Sequence, residues 1–189
     1  MRVDLDNFEQ QYRAASDPWD FATSSYEQHR YDVIVEALGT RHYQRCFEPG
    51  CSVGILTERL AGRADTVVAM DTSATALATA ATRLERFDAV RLMHGAIPED
   101  WPKGRFDLIV FAELGYYWDA DELRTLATLL DETTVPGGDI VAVHWLGQSG
   151  DHLLGGAEVH EILGCVLGTP AEHRAEPGFV LDRWRRCAE

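Results

Sequence analysis

The sequence lacks long hydrophobic stretches. None of its apolar runs reaches about 18 residues, the minimum for a membrane-spanning helix, so no membrane span is predicted. The first residues also lack the basic and apolar regions of a secretory signal peptide. The four cysteines show no C-x-x-C pairing, and Cys46 and Cys51 flank a predicted strand end, a poor place for a disulfide. We therefore expect a cytoplasmic protein with reduced cysteines.

Basic residues are scarce. The 189 residues include 17 Lys and Arg against 31 Asp and Glu, which gives a net charge of −14. Such a charge repels polyanions and argues against a nucleic-acid substrate. It is compatible with a cationic or amine-bearing substrate, although a well-solvated acidic surface would show the same composition.

Several patterns of catalytic residues are absent as well. The seven histidines show neither H-x-x-x-H nor H-E-x-x-H spacing, and no cluster of acids indicates a divalent-cation site, so we expect no bound metal. There is also no G-x-x-x-x-G-K-[ST] phosphate loop. The remaining signal for a binding site is a glycine-containing turn at residues 47–54 (FEPGCSVG).

This turn favours a nucleoside ligand without a pyrophosphate. A nicotinamide-dinucleotide site needs G-x-G-x-x-G, but Ser52 takes the place of the second glycine, and Gly54 comes one place early. Glu48 would also repel a pyrophosphate. About 20 residues beyond the turn, Asp71 ends a second apolar strand, which is the spacing of a β-α-β unit whose acid contacts ribose hydroxyls. S-adenosylmethionine (SAM) carries a sulfonium and an ammonium but no phosphate, so the pattern favours SAM.

The chain resembles the class I SAM-dependent methyltransferases. The E-x-G-x-S-x-G run at 48–54 looks like their first motif, Pro136-Gly137-Gly138 before an apolar strand looks like their late turn, and FDLIV at 106–110 looks like their fourth strand. Three further segments are similar to the NodS-type family, over roughly residues 16–185: DPW at 17–19 with Tyr26, Glu27 and Arg30, AELGYY at 112–117, and GGAEV at 155–159. That family includes a nodulation N-methyltransferase that methylates the free amine of a deacetylated chitooligosaccharide. The resemblance implies SAM as cofactor and S-adenosylhomocysteine (SAH) as product.

Hydrophobic periodicity predicts alternating strands and helices. Helices are predicted over 26–38, 55–61, 74–84 and 158–167, with another beginning at Asp119 or Asp121. Strands are predicted over 45–47, 66–70, 90–93, 106–111, 140–143 and 179–184. This alternation predicts a doubly wound, mostly parallel α/β sheet, and the resemblance implies the seven-stranded, Rossmann-like methyltransferase fold. We expect a short helix and a lid-like segment in residues 1–25, followed by a SAM-binding domain over 26–189.

The predicted cofactor site lies at the carboxyl ends of the first strands, where α/β sheets bind ligands. We expect Asp71 to contact the ribose hydroxyls, with Thr72 beside it. Gly50 and Gly54 should lie against the methionine part of SAM, together with Cys51 and Ser52 of the same turn. Glu48 would order the loop or face the ammonium.

Two other parts of the cofactor site are predicted from the family pattern. After the third strand, methyltransferases often place an acid that accepts from the adenine amino group, but Ala96 stands there. We therefore expect the backbone around Ala96 and Ile97 to contact a looser adenine pocket. By resemblance, the segment that contains Trp19 and Arg30 would fold over the cofactor, and Arg30 would pair with the methionine carboxylate.

The predicted acceptor side follows the fourth and fifth strands. Glu113 and His144 stand just past these strand ends, and either group can take a proton from an amine directly or through water. Tyr117 is expected to face the pocket. Glu113 as a structural acid and His144 as a core histidine remain open alternatives.

The leading hypothesis is methyl transfer to a small-molecule amine, for example an amino sugar. The alternatives are an O-methyltransferase and a SAM-binding protein without catalytic activity. A nicotinamide oxidoreductase is disfavoured by the missing third glycine and by Glu48. Small molecules are the expected partners, with no nucleic acid and no membrane.

Overall fold

The computed structural model describes residues 5–187. They form two compact units, one ending at Lys103 and the other beginning at Gly104. The first unit contains α1 (Leu5–Ala14), α2 (Ser25–Ala37), β1 (Tyr43–Pro49), α3 (Ile55–Leu60), β2 (Ala64–Asp71), α4 (Ala74–Leu84) and β3 (Val90–His94). The second contains β4 (Phe106–Ala112), a 3₁₀ helix (Gly115–Tyr117), α5 (Ala120–Thr133), β5 (Thr134–Trp145), α6 (Gly156–Leu167), β6 (Glu172–Glu176) and β7 (Phe179–Arg185).

The first unit is built on three parallel strands in the order β3-β2-β1. Cys46 of β1 lies beside Val67 of β2, which lies beside Val90 of β3. The C-terminal halves of β1 and β2 are continuously buried, without the alternation of a half-exposed strand. This is typical of parallel strands covered on both faces.

The second unit mixes parallel and antiparallel pairs in the order β4-β5-β7-β6. β4 runs parallel to β5, whereas β7 is antiparallel to both β5 and β6. With seven strands in the described residues, mostly in parallel pairs, the protein has a Rossmann-like α/β fold, which confirms the predicted fold class. β6 had no sequence signal because its five residues, EHRAE, are mostly polar and half-exposed. Charged side chains are common on such edge strands, where they discourage pairing with other chains.

The predicted turn at Pro136-Gly137-Gly138 is instead part of β5. The register of β4 and β5 shifts here: Phe106 pairs with Thr134, but Leu108 pairs with Asp139. The extra residues bulge out of the ladder, and Gly137 adopts φ +75°. The strand can therefore begin six residues earlier than predicted, because a bulge accommodates a proline that a regular ladder would exclude.

Helix starts follow the local sequence closely. Ser24 caps α2 by accepting from the amide of Glu27, and Asp119 caps α5 in a capping box with Glu122. Of the two predicted starts for α5, Asp119 is therefore the cap. The predicted segment 1–25 contains α1, while residues 1–4 and 188–189 of the predicted domain ranges lie outside the described residues. Within residues 5–187, no helix has the length and apolar character needed to cross a bilayer.

Candidate active site

The turn between β1 and α3 is tightly wound. Gly50, Ser52 and Gly54 all have positive φ, at +71°, +53° and +80°. A side chain at Gly54 would place its Cβ 2.8 Å from Leu84 Cδ1, so the loop packs directly against α4. Only glycine combines this backbone with this close approach.

Asp71, at the end of β2, holds this turn in place. Its Oδ2 accepts from the amide of Ser52 at 2.8 Å, and its Oδ1 accepts from the amide of Ser73 at 2.9 Å. Burial raises the pKa of Asp71, while the hydrogen bonds from Ser73 and Ser52 oppose that rise by favouring the charged form. A carboxylate has about four lone-pair positions, so the two oxygens retain acceptor capacity for ligand hydroxyls. The geometry therefore fits the predicted ribose contact.

Glu48 is a buried acid whose hydrogen bonds are incomplete. Its side chain is at the end of β1 with 3% of the residue exposed, and within the described part of the chain nothing donates a hydrogen bond to Oε2. Burial raises its pKa to about 8; the nearby Thr57 hydroxyl opposes the rise and the charge of Asp71 adds to it. Thr57 Oγ1 itself makes no hydrogen bond of normal geometry with the described residues. An acid held in this way fits a cationic ligand group, which would complete its interactions.

The N-terminal helix contacts the turn and the start of α4. Tyr12 donates from its hydroxyl to Ser52 Oγ at 2.5 Å. Glu9 accepts from the hydroxyls of Ser73 at 2.6 Å and Thr75 at 2.7 Å. Trp19 lies edge-on to Tyr12, with ring centroids 5.3 Å apart, and is 37% exposed. The structure thus brings Trp19, Ser52 and Asp71 into one neighbourhood.

Arg30 lies buried on α2 and forms an ion pair with Glu27. Its guanidinium is 5.7 Å from the ring centroid of Tyr26 and 5.9 Å from that of Tyr31. Burial raises the pKa of Tyr31, and the charges of Arg30, Glu27 and Glu48 all act on it. The predicted pairing of Arg30 with a methionine carboxylate stays a prediction.

The segment after β3 carries an acid that the sequence pattern did not reveal. Asp100 folds back so that its Oδ2 accepts from the amide of Ala96 at 2.9 Å. A side chain at Gly95 would lie 2.8 Å from Asp100 Cβ, so Asp100 fills the space beside that residue. The Ala96 amide is thus engaged by Asp100, and other backbone groups around Ala96 and Ile97 are left for the predicted adenine contact. Ile97 is buried beside it, and the predicted roles of Ala96 and Ile97 remain predictions.

In the second unit, Glu113 joins the ends of β4 and β5. It adopts φ +58°, which is rare for a residue with a side chain and costs of the order of 1–3 kcal/mol. Its Oε1 accepts from the amide of Trp145 at 2.8 Å, and its Oε2 accepts from the hydroxyl of Tyr116 at 2.5 Å. The carboxylate is consequently held in one orientation at the strand ends.

Aromatic rings surround this carboxylate. His152 stacks on Tyr116 at 3.7 Å and meets the ring of Tyr117 edge-on at 5.3 Å. Burial raises the pKa of Tyr117, and the charges of Asp151 and Glu113 raise it further. Burial lowers the pKa of His152, and among residues 5–187 its buried Nδ1 makes no hydrogen bond. Sequence analysis missed His152 because it lies in a glycine-rich loop without periodicity.

His144 has both ring nitrogens engaged inside the protein. Its Nε2 accepts from the amide of Gly115 at 2.9 Å, its Nδ1 lies 3.1 Å from Nε2 of His160, and the residue is fully buried. This geometry favours the core-histidine alternative over a base that touches the acceptor. In the chain between residues 5 and 187, no group of three or more His, Cys, Asp or Glu side chains is arranged to hold a metal.

A family model described as nodulation protein S (NodS) matches residues 4–164. The nodulation protein S of Sinorhizobium fredii is 28% identical over 130 residues, covering 68% of this chain and 60% of that protein. The next two nodulation proteins are covered over 53% and 55% of their lengths, so the chain matches little more than half of each of these curated relatives.

Solved structures show the same fold. A Pseudomonas syringae protein, described only provisionally as a methyltransferase, is 36% identical with a TM-score of 0.76 over 86% of this chain and all of that one. The N-methyltransferase NodS of Bradyrhizobium japonicum WM9, solved with SAH, is 24% identical with a TM-score of 0.84 over 96% of this chain and 98% of that one; it shows the shared fold. The chain belongs to the nodulation protein S (NodS) family.

Proposed function

We propose that this protein is a SAM-dependent methyltransferase that transfers a methyl group to the amine of a small molecule and releases SAH. The observation that carries the proposal is the pair of buried acids at neighbouring strand ends, Glu48 and Asp71, joined by a turn with three positive φ angles. Membership of the NodS family and the SAH complex of the Bradyrhizobium enzyme support it.

The residues present fit the proposed cofactor. Asp71 retains acceptor capacity for the two ribose hydroxyls. Among residues 5–187 no group donates to Glu48 Oε2, and the ammonium of SAM would supply that donor. Gly50, Cys51, Ser52 and Gly54 would line the methionine part, with Thr72 beside the ribose. When bound, SAM supplies an electrophilic methyl group on a sulfonium.

The rest of the cofactor contacts are proposed from position. Asp100, which already accepts from the Ala96 amide, is placed to accept also from the adenine amino group, with Ile97 against the base. Trp19 and the α1 contacts would close residues 1–25 over the nucleoside as a lid, and Arg30 would hold the methionine carboxylate.

Glu113 and its aromatic neighbours suit an amine acceptor. An aliphatic ammonium has a pKa near 10, so presenting the free amine at pH 7 costs roughly 4 kcal/mol. Glu113 can hold the cation first, and the rings of Tyr117 and Trp145 can contribute on the order of 0.5–2 kcal/mol through cation–π contact. His152 is the group placed to receive the proton, since its Nδ1 accepts no hydrogen bond within the described chain and its lowered pKa keeps the ring neutral. Aligned attack of the nitrogen on the methyl group then needs little further chemistry.

The same proposal covers the partners and location. The net charge of −14 supports a small-molecule acceptor and no nucleic acid, and four cysteines without a C-x-x-C pairing support a reducing, cytoplasmic setting.

The test is calorimetric titration with SAM, SAH and NAD in parallel. We expect micromolar binding of SAM and SAH and none of NAD. Asp71→Asn should weaken SAM binding by about 2–3 kcal/mol, because charge-assisted hydrogen bonds are lost. Asp65→Asn is the control, because Asp65 is 67% exposed near the start of the same strand. If neither SAM nor SAH binds, the proposal fails.

Acceptor class is then tested by SAH release over matched amines and alcohols. Turnover of amines supports N-methylation. Turnover of alcohols alone would replace it with O-methylation, and cofactor affinity without turnover over the whole panel would indicate a SAM-binding protein without catalytic activity.

A further inference from the structure

The second unit contains a continuous run of buried hydrogen bonds, here called the histidine chain: Gly115, His144, His160 and Asp182. The amide of Gly115 donates to Nε2 of His144 at 2.9 Å. His144 Nδ1 lies 3.1 Å from His160 Nε2, and His160 Nδ1 lies 2.6 Å from Asp182 Oδ2. It links β7 to the 3₁₀ helix after β4 through side chains of β5 and α6.

The Gly115 amide at one end and the Asp182 carboxylate at the other together set one order of protons in the histidine chain. An amide N–H can only donate, so His144 Nε2 must be unprotonated, and the ring proton must lie on Nδ1. That proton is donated to His160 Nε2, which must accept it. The proton of His160 therefore lies on Nδ1 and is donated to Asp182. Within this arrangement both imidazoles are neutral, and all donors and acceptors between them are satisfied.

Asp182 terminates the histidine chain as an acceptor. Burial alone would raise its pKa, but hydrogen bonds from His160 and His173 outweigh burial and lower the pKa below its usual value. His173 contacts the other oxygen at 2.7 Å and has a side chain that is 59% exposed, whereas the side chains of His160 and Asp182 are each 6% exposed. Asp182 is therefore ionised at neutral pH and keeps the proton of His160 on Nδ1.

The Gly115 end of the histidine chain is closely packed. A Cβ at Gly115 would lie 2.4 Å from Val159 Cγ1 and 2.9 Å from His144 Nε2. The next residue, Tyr116, meets the His144 ring edge-on at 5.4 Å and donates its hydroxyl to Glu113. The position of this turn therefore sets the position of Tyr116 and, through it, the orientation of the Glu113 carboxylate.

We propose that Asp182 and His160 are positioning residues for the acceptor side: they keep the proton on His144 Nδ1, so that His144 Nε2 accepts from Gly115 and fixes the turn that carries Tyr116 and Tyr117. This inference rests on the proposed function for its role in turnover. His144 accordingly holds the turn and takes no proton from the acceptor. His144 and His160 are 16 residues apart, and His160 and Asp182 are 22 residues apart. These separations match no sequence motif.

The first test needs neither cofactor nor acceptor. The ¹⁵N shifts of His144 in the wild-type protein should show a proton on Nδ1 and none on Nε2. In Asp182→Leu, His160 loses its acceptor, so His144 should become a mixture of tautomers. The Gly115 amide should then exchange on the order of tenfold faster, equivalent to about 1.4 kcal/mol or one net hydrogen bond, while the amides of β4 stay protected. His173→Gln, which alters only the exposed neighbour of Asp182, should leave His144 unchanged.

The second test separates positioning from proton transfer. The amide of Gln can reach the place of His144 Nε2, whereas that of Asn reaches only the place of Nδ1. If His144 only accepts from Gly115, His144→Gln should keep kcat within about threefold, and His144→Asn should lower it on the order of tenfold by loss of one hydrogen bond. In both variants the SAM affinity should stay unchanged, and the pH profile of His144→Gln should match the wild type.

A result of either of two kinds, spectroscopic or kinetic, would overturn the inference. One is a proton on His144 Nε2 in the wild-type protein, or an unchanged His144 spectrum in Asp182→Leu. The other is loss of activity in His144→Gln equal to that of His144→Asn. Absence of SAM binding would refute the proposed function alone, because the spectroscopic results require no ligand.

Discussion

Replacing Glu48 by Gln should make the cofactor-free protein more stable at alkaline pH. The pKa of this buried acid lies at about 8, against 4.5 for an ordinary glutamate, chiefly because of burial. The folded protein therefore binds a proton that the unfolded chain has already lost between those pH values. The free energy of unfolding that this group contributes is fully present below about pH 4.5 and is lost as the pH rises through about 8.

The size of the effect follows from the two pKa values. A pKa difference of one corresponds to about 1.36 kcal/mol, and the difference between 8 and 4.5 is 3.5. Charging Glu48 in the folded state thus costs up to about 5 kcal/mol, with about 2–5 kcal/mol as the working range. Glu48→Gln is neutral at every pH and nearly the same size, so it removes this cost and leaves the packing.

Urea unfolding between pH 5 and pH 9 measures the difference directly. The free energy of unfolding of the variant, minus that of the wild type, should grow toward alkaline pH. Glu85→Gln is the matched control, because this acid is exposed just past α4, and its difference should stay flat. Equal pH dependence of Glu48→Gln and the wild type would refute the assignment of a buried, neutral Glu48.

Cofactor binding tests the protonation of Glu48 by a second, independent measurement. A cation bound beside Glu48 favours its ionised form, so SAM binding at pH 7 should release about one proton from this group. Calorimetric titrations in buffers of different ionisation enthalpy measure that release. Glu48→Gln should abolish it and bind SAM more weakly.

Three further changes test other parts of the structure. Glu113→Gln should lower turnover at least tenfold with the SAM affinity retained. Glu161 is an exposed acid on α6, so Glu161→Gln should change neither quantity. Loss of SAM affinity in Glu113→Gln would instead assign Glu113 to the cofactor site. Gly115→Ala should destabilise the fold by about 1–3 kcal/mol through overpacking. A Cβ at Gly164 would meet open space, so Gly164→Ala should stabilise the fold by about 0.5–1 kcal/mol. A higher melting temperature for Gly115→Ala than for Gly164→Ala would contradict the packing described here. Tyr12→Phe removes the hydrogen bond to the β1–α3 turn, which is worth about 1 kcal/mol. Amide exchange in α1 should therefore become about fivefold faster. Unchanged exchange would show that this hydrogen bond does not hold the helix.

Much of the fold could be predicted because its signals are local. Apolar runs at 66–70 and 106–111 predicted strands, and Ser24 and Asp119 stand where α2 and α5 begin. β6 escaped prediction because its pairing depends on β7 and leaves no apolar pattern. The bulge in β5 escaped because a Pro-Gly-Gly run is compatible with either a turn or an irregular strand.

For the site residues, too, positions on the strands could be predicted locally, whereas the contacts between side chains depend on packing. The sequence placed Glu48 and Asp71 at strand ends, and the structure has them there and buried; their roles stay predictions. It also selected His144, but not the partners that engage both of its nitrogens. Asp100 was missed because its side chain acts four residues away from the position at which the family pattern expects an acid.

Spacing and residue type alone therefore established the strand–helix alternation, the wound turn after β1 and the acid after β2, because each depends on neighbours within about one element of the chain. The folded chain was required for the Tyr12–Ser52 contact across 40 residues, for His152 on Tyr116 and for the order of protons from Gly115 to Asp182. Such contacts depend on which surfaces pack together after folding. The protonation of each buried group then depends on the donors and acceptors that packing brings within hydrogen-bond distance.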